Sequence, residues 1–253
     1  MPGVSLLAAD LGDRVVGGFT RRTGGVSAGR YASLNVGQHV GDDESAVHHN
    51  RQLLAGVVGV PIDRLCFMEQ VHGSDVVTVD GDDVVRRMAG AAEPLRADGM
   101  VTALPDVGLA VLVADCLPVL FADDRAGVIG VAHAGRLGLA AGVLQAVLGA
   151  MSALGARSAD VRAVVGPAVC GRCYEVPEAM AAEVEEAVPG SLTTTSAGTT
   201  ALDLSAGARR LLSGLGLRSV DVVGGCTRED ADTWFSYRRD GATGRQAGVV
   251  ARR

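Results

Sequence analysis

One thiol and two imidazoles stand where the sequence places the ends of strands. Cys116, in Ala114-Asp115-Cys116-Leu117-Pro118, follows the branched-aliphatic run 109–113, and His133, in His133-Ala134-Gly135, follows the run 128–132. His72, in Gln70-Val71-His72-Gly73, comes directly before the run 76–79. Strand ends are where open sheets present side chains to a cleft. A thiolate with two imidazoles is a sound primary shell for zinc, and three protein ligands leave a fourth position open, the mark of a catalytic rather than a structural site. The spacings are long and match no zinc-finger pattern, so residue types alone leave two other readings open. In one, Cys116 is the nucleophile of a cysteine hydrolase with His133 as its base, oriented by Asp115 or His72. In the other, the cysteine is a small buried hydrophobe and the histidines are hydrogen-bonded packing residues.

Two arginine-bearing segments could hold an anionic group: Arg21-Arg22-Thr23-Gly24-Gly25-Val26-Ser27, and Phe235-Ser236-Tyr237-Arg238-Arg239-Asp240-Gly241 with Gly244-Arg245. Guanidinium forks suit phosphate or carboxylate, although the same segments could be ordinary solvated surface. Cys170-Gly-Arg-Cys173 has the spacing of a redox or metal pair but not the strand-to-helix context of thioredoxin, and it is read as dispensable for metal, with about one zinc expected per chain. The doublets Gly24-Gly25 and Gly224-Gly225 lack nucleotide-loop spacing and read as turns.

The elements that must position these residues are legible in outline. Asp42 and Asp43 can cap a helix over 44–58, with Val47, Leu54 and Val58 on its buried face and His48 and Asn50 on its polar side. Strands are expected at 76–79, 109–113, 128–132, 161–165 and 220–223, and helices at 137–154, 178–188 and 205–215. Segment 191–200 reads as a surface loop. This order implies an α+β fold, layered mixed sheets flanked by helices, with residues 1–253 forming one domain.

Composition narrows the class. A net charge of −6 disfavours a nucleic-acid binder, which needs a cationic face, and points to small-molecule chemistry. All 23 basic residues are arginine, so Schiff-base catalysis, a lysine-anchored pyridoxal cofactor and a Walker-type loop are excluded. Five cysteines, an odd number, with neither a signal-peptide pattern nor a membrane-spanning run, suggest a reducing, cytoplasmic setting.

Taken together, the motifs resemble the laccase-domain family, whose bacterial members have been called polyphenol oxidases, peptidoglycan-editing factors and purine nucleoside phosphorylases. The resemblance rests on segments in order along almost the whole chain: Thr20 to Ser27, Ser33-Leu34-Asn35, Gly41-Asp42-Asp43 with Asn50-Arg51, Gln70 to Gly73, Ala97-Asp98-Gly99, Ala114 to Pro118, His133-Ala134-Gly135, Gly166-Pro167, Tyr174-Glu175-Val176, Cys226-Thr227 and Phe235 to Gly241. It implies a layered α/β fold with mixed sheets, and zinc bound by His72, Cys116 and His133. It also implies phosphorolysis of adenosine, inosine, guanosine and S-methyl-5'-thioadenosine, together with adenosine deamination. Arg22, Asn35, Gln70, Arg136, Arg238, Arg239 and Arg245 are then the candidate substrate-binding residues, and Asp115 joins the three ligands as a candidate catalytic group. The family commonly continues His-Ala-Gly with Trp-Arg-Gly, whereas this chain has Arg136-Leu137-Gly138.

Copper oxidation of the multicopper type needs about ten imidazoles, and the chain has five histidines. The zinc nucleobase deaminases place a glutamate two residues after the histidine. Here Gly73 and Ser74 follow His72, so deamination would need another proton carrier, Asp115 or Glu175. A cell-envelope role, with Cys116 as nucleophile toward peptidoglycan precursors, is the alternative to nucleoside chemistry. The residues leave the oligomeric state open.

Overall fold

Strands buried on both faces are written as largely apolar runs, and the centre of this molecule is built from three of them. The computed structural model describes residues 3–88 and 95–252. Its strands are, in chain order, β1 (Leu6–Ala8), β2 (Val15–Thr20), β3 (Leu65–Glu69), β4 (Val76–Thr78), β5 (Leu95–Arg96), β6 (Gly99–Thr102), β7 (Gly108–Val113), β8 (Leu117–Asp123) and β9 (Val128–Ala134). They continue with β10 (Arg162–Val165), β11 (Leu192–Thr194), β12 (Thr200–Leu202), β13 (Ser219–Val222) and β14 (Gln246–Arg252). The helices are α1 (Glu44–Val58), α2 (Gly81–Met88), α3 (Arg136–Ala140), α4 (Val143–Ala153), α5 (Glu178–Ala187), α6 (Leu204–Ser213) and α7 (Tyr237–Asp240). Every residue of β7, β8 and β9 is buried.

Two six-stranded mixed sheets form, in the orders β1-β2-β14-β7-β3-β5 and β13-β10-β8-β9-β6-β4, and β11 and β12 make a separate hairpin. The two-residue period of the strands sorts the core into layers. Leu109, Val111 and Val113 of β7 meet Leu120 and Ala122 of β8, Ile129 and Val131 of β9 and Phe19 of β2 between the sheets. Ala110 and Leu112 point the other way, with Leu65, Val249 and Ala251, onto Leu54, Ala55 and Val58 of α1. Val119 and Phe121 face Leu144, Val147 and Met151 of α4, Val184 of α5 and Leu212 of α6. The fold is α+β, a pair of packed mixed sheets between helical layers.

Helix α1 has the predicted bounds: Asp43 caps it by accepting a hydrogen bond from the Ala46 amide at 2.8 Å, and Gly59 closes it in a left-handed conformation. Four expectations need correction. The helix expected over 137–154 is two helices, because Gly142 takes φ 87, which ends α3 and turns the chain into α4. Segment 191–200 contains most of the β11–β12 hairpin rather than a plain loop. His133 lies inside β9, which runs on to Ala134. Asn50 is not on a solvated face; it is fully buried, donating to Ser27 Oγ and the Asn35 carbonyl and accepting from the Val26 amide. Among the described residues no helix is long and apolar enough to cross a membrane.

Candidate metal centre and its cavity

Sheet register brings the three able side chains together. Cys116 occupies the short turn from β7 to β8, and β8 pairs antiparallel with β9 so that Leu117 faces Ala134 and Pro118 faces His133. His72 sits in the bend between β3 and β4. Its ligand atom and those of Cys116 and His133 all lie within 4.8 Å of one another. The His72 and His133 rings meet edge to face, with centroids 4.8 Å apart.

Asp98, just before β6, holds this arrangement. It is fully buried, and its Oδ1 lies 2.7 Å from His133 Nδ1 while accepting from the His72 amide at 2.9 Å. Its Oδ2 accepts from the amides of Gly73 at 2.6 Å and Val71 at 3.2 Å. One carboxylate therefore orients one imidazole through its ring and the other through its backbone, and a proton on His133 Nδ1 leaves Nε2 free as a ligand. Asp98 had no assigned role in the sequence, although Ala97-Asp98-Gly99 stood out as a motif. Nothing in that motif says that its carboxylate folds back onto residues 71–73.

Electrostatics follow from this packing. Burial alone would raise the Cys116 thiol, but hydrogen bonds with His133 and His72 outweigh it and hold it at about 6. Burial would lower His133, yet Asp98 and Cys116 raise it to about 9. For Asp98, burial pushes upward, and the His133 ring and the Gly73 amide pull the carboxyl below its ordinary range. By contrast, burial and the neighbouring Cys226 thiol push Cys170 up to about 12. A half-buried thiolate with two neutral-capable imidazoles fits zinc in charge and softness. Backbone strain gathers here too: His72 (φ 62) and Asp115 (φ 91) adopt left-handed conformations uncommon for residues with a side chain.

The three residues open onto a cavity of about 820 Å³. Arg136 from the start of α3, Arg238 from α7 and Arg245 before β14 line it, as do Gln70 and Asp115. The Gln70 amide is engaged on both sides, accepting from the Leu112 amide and donating to its carbonyl, each at 2.7 Å. The Asp115 carboxylate accepts from Thr227 Oγ1 and from the Arg238 amide, both at 2.6 Å, so it anchors the arginine loop and does not orient His133. Arg22, Asn35 and Arg239 are placed in the supporting structure. Arg22 donates to the Ala32 and Ala231 carbonyls and covers the Phe235 ring. Asn35 is buried, bridging Asp42, Gly37 and the Arg245 amide. Arg239 donates to the Thr227 and Trp234 carbonyls and pairs with Asp240. Two further lining residues had no assigned role in the sequence: His39, whose pKa is lowered by burial and by Arg245, and Tyr174 of the Tyr174-Glu175-Val176 motif, over whose ring the Arg238 guanidinium lies at 4.9 Å.

Residues 16–253 match the family described as multi-copper polyphenol oxidoreductase laccase. The chain belongs to that laccase family. A purine nucleoside phosphorylase of Streptomyces coelicolor is 52% identical over 236 residues, 92% of this chain and 93% of that protein. One of Corynebacterium glutamicum is 47% identical over 232 residues, 92% of each. The crystal structure of YlmD from Geobacillus stearothermophilus has a TM-score of 0.89 at 34% identity, covering 100% of this chain and 97% of that one. A Neisseria meningitidis protein of known structure has a TM-score of 0.86 at 34% identity, covering 99% of both chains. Where the resemblance led to an expectation of Trp-Arg-Gly, Arg136 lines the cavity and Leu137 is 53% exposed. The glycine is kept as Gly138.

Proposed function

We propose that this chain is a zinc-dependent purine nucleoside phosphorylase acting on adenosine, inosine, guanosine and S-methyl-5'-thioadenosine in the cytoplasm, as one domain. The supporting observation is a thiolate and two imidazoles on the wall of a cavity that three arginines also line. A volume of about 820 Å³ accommodates a nucleoside and a phosphate together. His72, Cys116 and His133 would hold the zinc, which when bound supplies electrostatic and Lewis-acid stabilisation. Arg136, Arg238 and Arg245 bind and orient phosphate through charge-assisted hydrogen bonds. A phosphate oxygen forms the bond to the anomeric carbon, the glycosidic bond breaks with its electron pair going to the base, and the base takes the proton that hydrogen phosphate gives up. The products are free purine and ribose 1-phosphate, or 5-methylthioribose 1-phosphate from S-methyl-5'-thioadenosine. Because the transition state is oxocarbenium-like, the chain's work is positioning and stabilising charge. Asp115, which anchors the Arg238 loop at the cavity wall, and Glu175 are the candidate proton carriers for a parallel deamination of adenosine.

The cysteine-hydrolase reading keeps one specific support: Cys116, His133 and Asp98 form a thiol–imidazole–carboxylate chain. Substrate assays separate the two. Protein purified without a histidine tag and loaded with zinc should release adenine from adenosine only when phosphate is present, and inosine with ammonia when it is absent. Alanine at Arg136, Arg238 or Arg245 should raise the phosphate KM more than it lowers kcat. Neither base nor ammonia from adenosine, inosine or methylthioadenosine would put Cys116 forward as a nucleophile.

A further inference from the structure

Cys170, Cys173, Cys226 and Glu229 converge in a second cluster, their ligand atoms all within 4.8 Å of one another. We propose that this cluster is a structural zinc site of three thiolates and one carboxylate, tying together two loops that wall the large cavity. The inference does not rest on the reaction proposed above.

Three sulfurs and one oxygen complete a tetrahedron with no open position, and soft thiolates select zinc over hard cations. With zinc–sulfur bonds of about 2.3 Å, tetrahedral neighbours lie about 3.8 Å apart, so the cluster needs to contract by about 1 Å at most. Cys170 and Cys173 have the two-residue spacing of a zinc-chelating turn, and the turn is formed: the Cys173 and Tyr174 amides donate to the Cys170 carbonyl at 2.9 and 3.0 Å. The Cys170 amide donates to Cys226 Sγ at 3.3 Å, the kind of outer contact that supports a ligating thiolate. Charge also closes. Three thiolates and a carboxylate around a divalent cation leave two negative charges, and two guanidiniums stand against them: Arg172 on both Glu229 oxygens at 3.0 and 3.2 Å, and Arg228 on Cys173. Cys170 and Cys226 also line a second cavity, of about 400 Å³, which supplies an entry path.

The cluster's place in the fold gives it a purpose. β10 and β13 pair in parallel, and the loops leaving them carry Cys170 with Cys173 and Cys226 with Glu229, joined at the Ala168–Cys226 bridge. The first loop goes on to Tyr174 and the second to Arg238, the pair stacked at the wall of the large cavity.

Elemental analysis of the full, untagged chain prepared with zinc under reducing conditions is expected to give about two zinc ions per chain, one more than His72, Cys116 and His133 account for. Cys116→Ala and the double variant Cys170→Ser/Cys173→Ser should each fall to about one, with circular dichroism confirming the fold. Glu229→Gln, a milder change, should keep the fold and release one zinc to a chelator at least tenfold faster. Should the double variant not fold, cobalt(II) substitution decides alone: Cys116→Ala must still show the strong thiolate-to-cobalt charge-transfer band of a three-thiolate site. The proposal is overturned if Cys116→Ala holds no metal, or if protein unfolded without reductant shows three titratable thiols instead of five, which would mean a disulfide occupies the cluster.

Discussion

Asp98 is one residue on which two ligands depend, so its chemistry should be visible apart from theirs. Replacing it with asparagine keeps the shape but removes the charge that fixes His133, and zinc affinity at His72, Cys116 and His133 should fall about 10–100-fold in chelator competition. In metal-free protein the same change should cost about 2–3 kcal/mol at neutral pH, because a buried carboxylate loses charge-assisted bonds to one ring and three amides. The sign of the pH dependence is set by the lowered folded-state pKa. The contribution is complete above the unfolded value near ~4 and disappears as pH falls through the lower folded value. Melting temperatures of wild type and Asp98→Asn should therefore differ most near neutrality and converge in acid; an equal gap at all pH values would remove Asp98 from this role.

Helix α3 reaches the metal centre through its backbone. A Cβ at Gly138 would come 2.6 Å from the Gly73 carbonyl oxygen, and one at Gly135 would come 3.2 Å from Cys116 Sγ and 3.3 Å from His72 Cδ2. Gly138→Ala should push the His72 bend away from its partners, weakening zinc binding at least tenfold and lowering the melting temperature by several degrees, both readable on one purified sample. Unchanged zinc affinity would show that α3 and the bend are not coupled. Elements of this kind were unevenly legible. Helix α1 announced itself through an acidic cap and a helical apolar face, and the cores of β7 and β9 through runs of Val, Leu and Ile. β2 hid behind Gly17 and Gly18, and β8 behind Pro118, because strand propensity penalises both residue types while sheet pairing tolerates them here. The ligands themselves were readable from type and motif; His39 was not, and Asp98 and Tyr174 stood in motifs whose role at the site was not readable, since each reaches it from a distant stretch of chain.

Across the whole molecule, the sheet order is the part that residue patterns could not supply. β14 lies in the interior of the first sheet, antiparallel to β2 on one side and to β7 on the other, with all but its last residue buried. A chain shortened to residue 245 should fail to fold, giving aggregated product and no cooperative melt, because two ladders lose their shared partner. Recovery of a cooperative transition in the shortened chain would contradict that. The same placement bears on how the protein is made. All six strands of the second sheet lie between residues 76 and 222, whereas residues 15–20 must wait for residues 246–252 before their ladder closes. During synthesis from the N-terminus the helix-backed half can assemble early, while β2 stays an open, sticky edge until the last strand emerges. A slow ribosome, or a scarcity of chaperone, would therefore expose β2 for longer, and the yield in a cell should depend on how soon residues 246–252 follow.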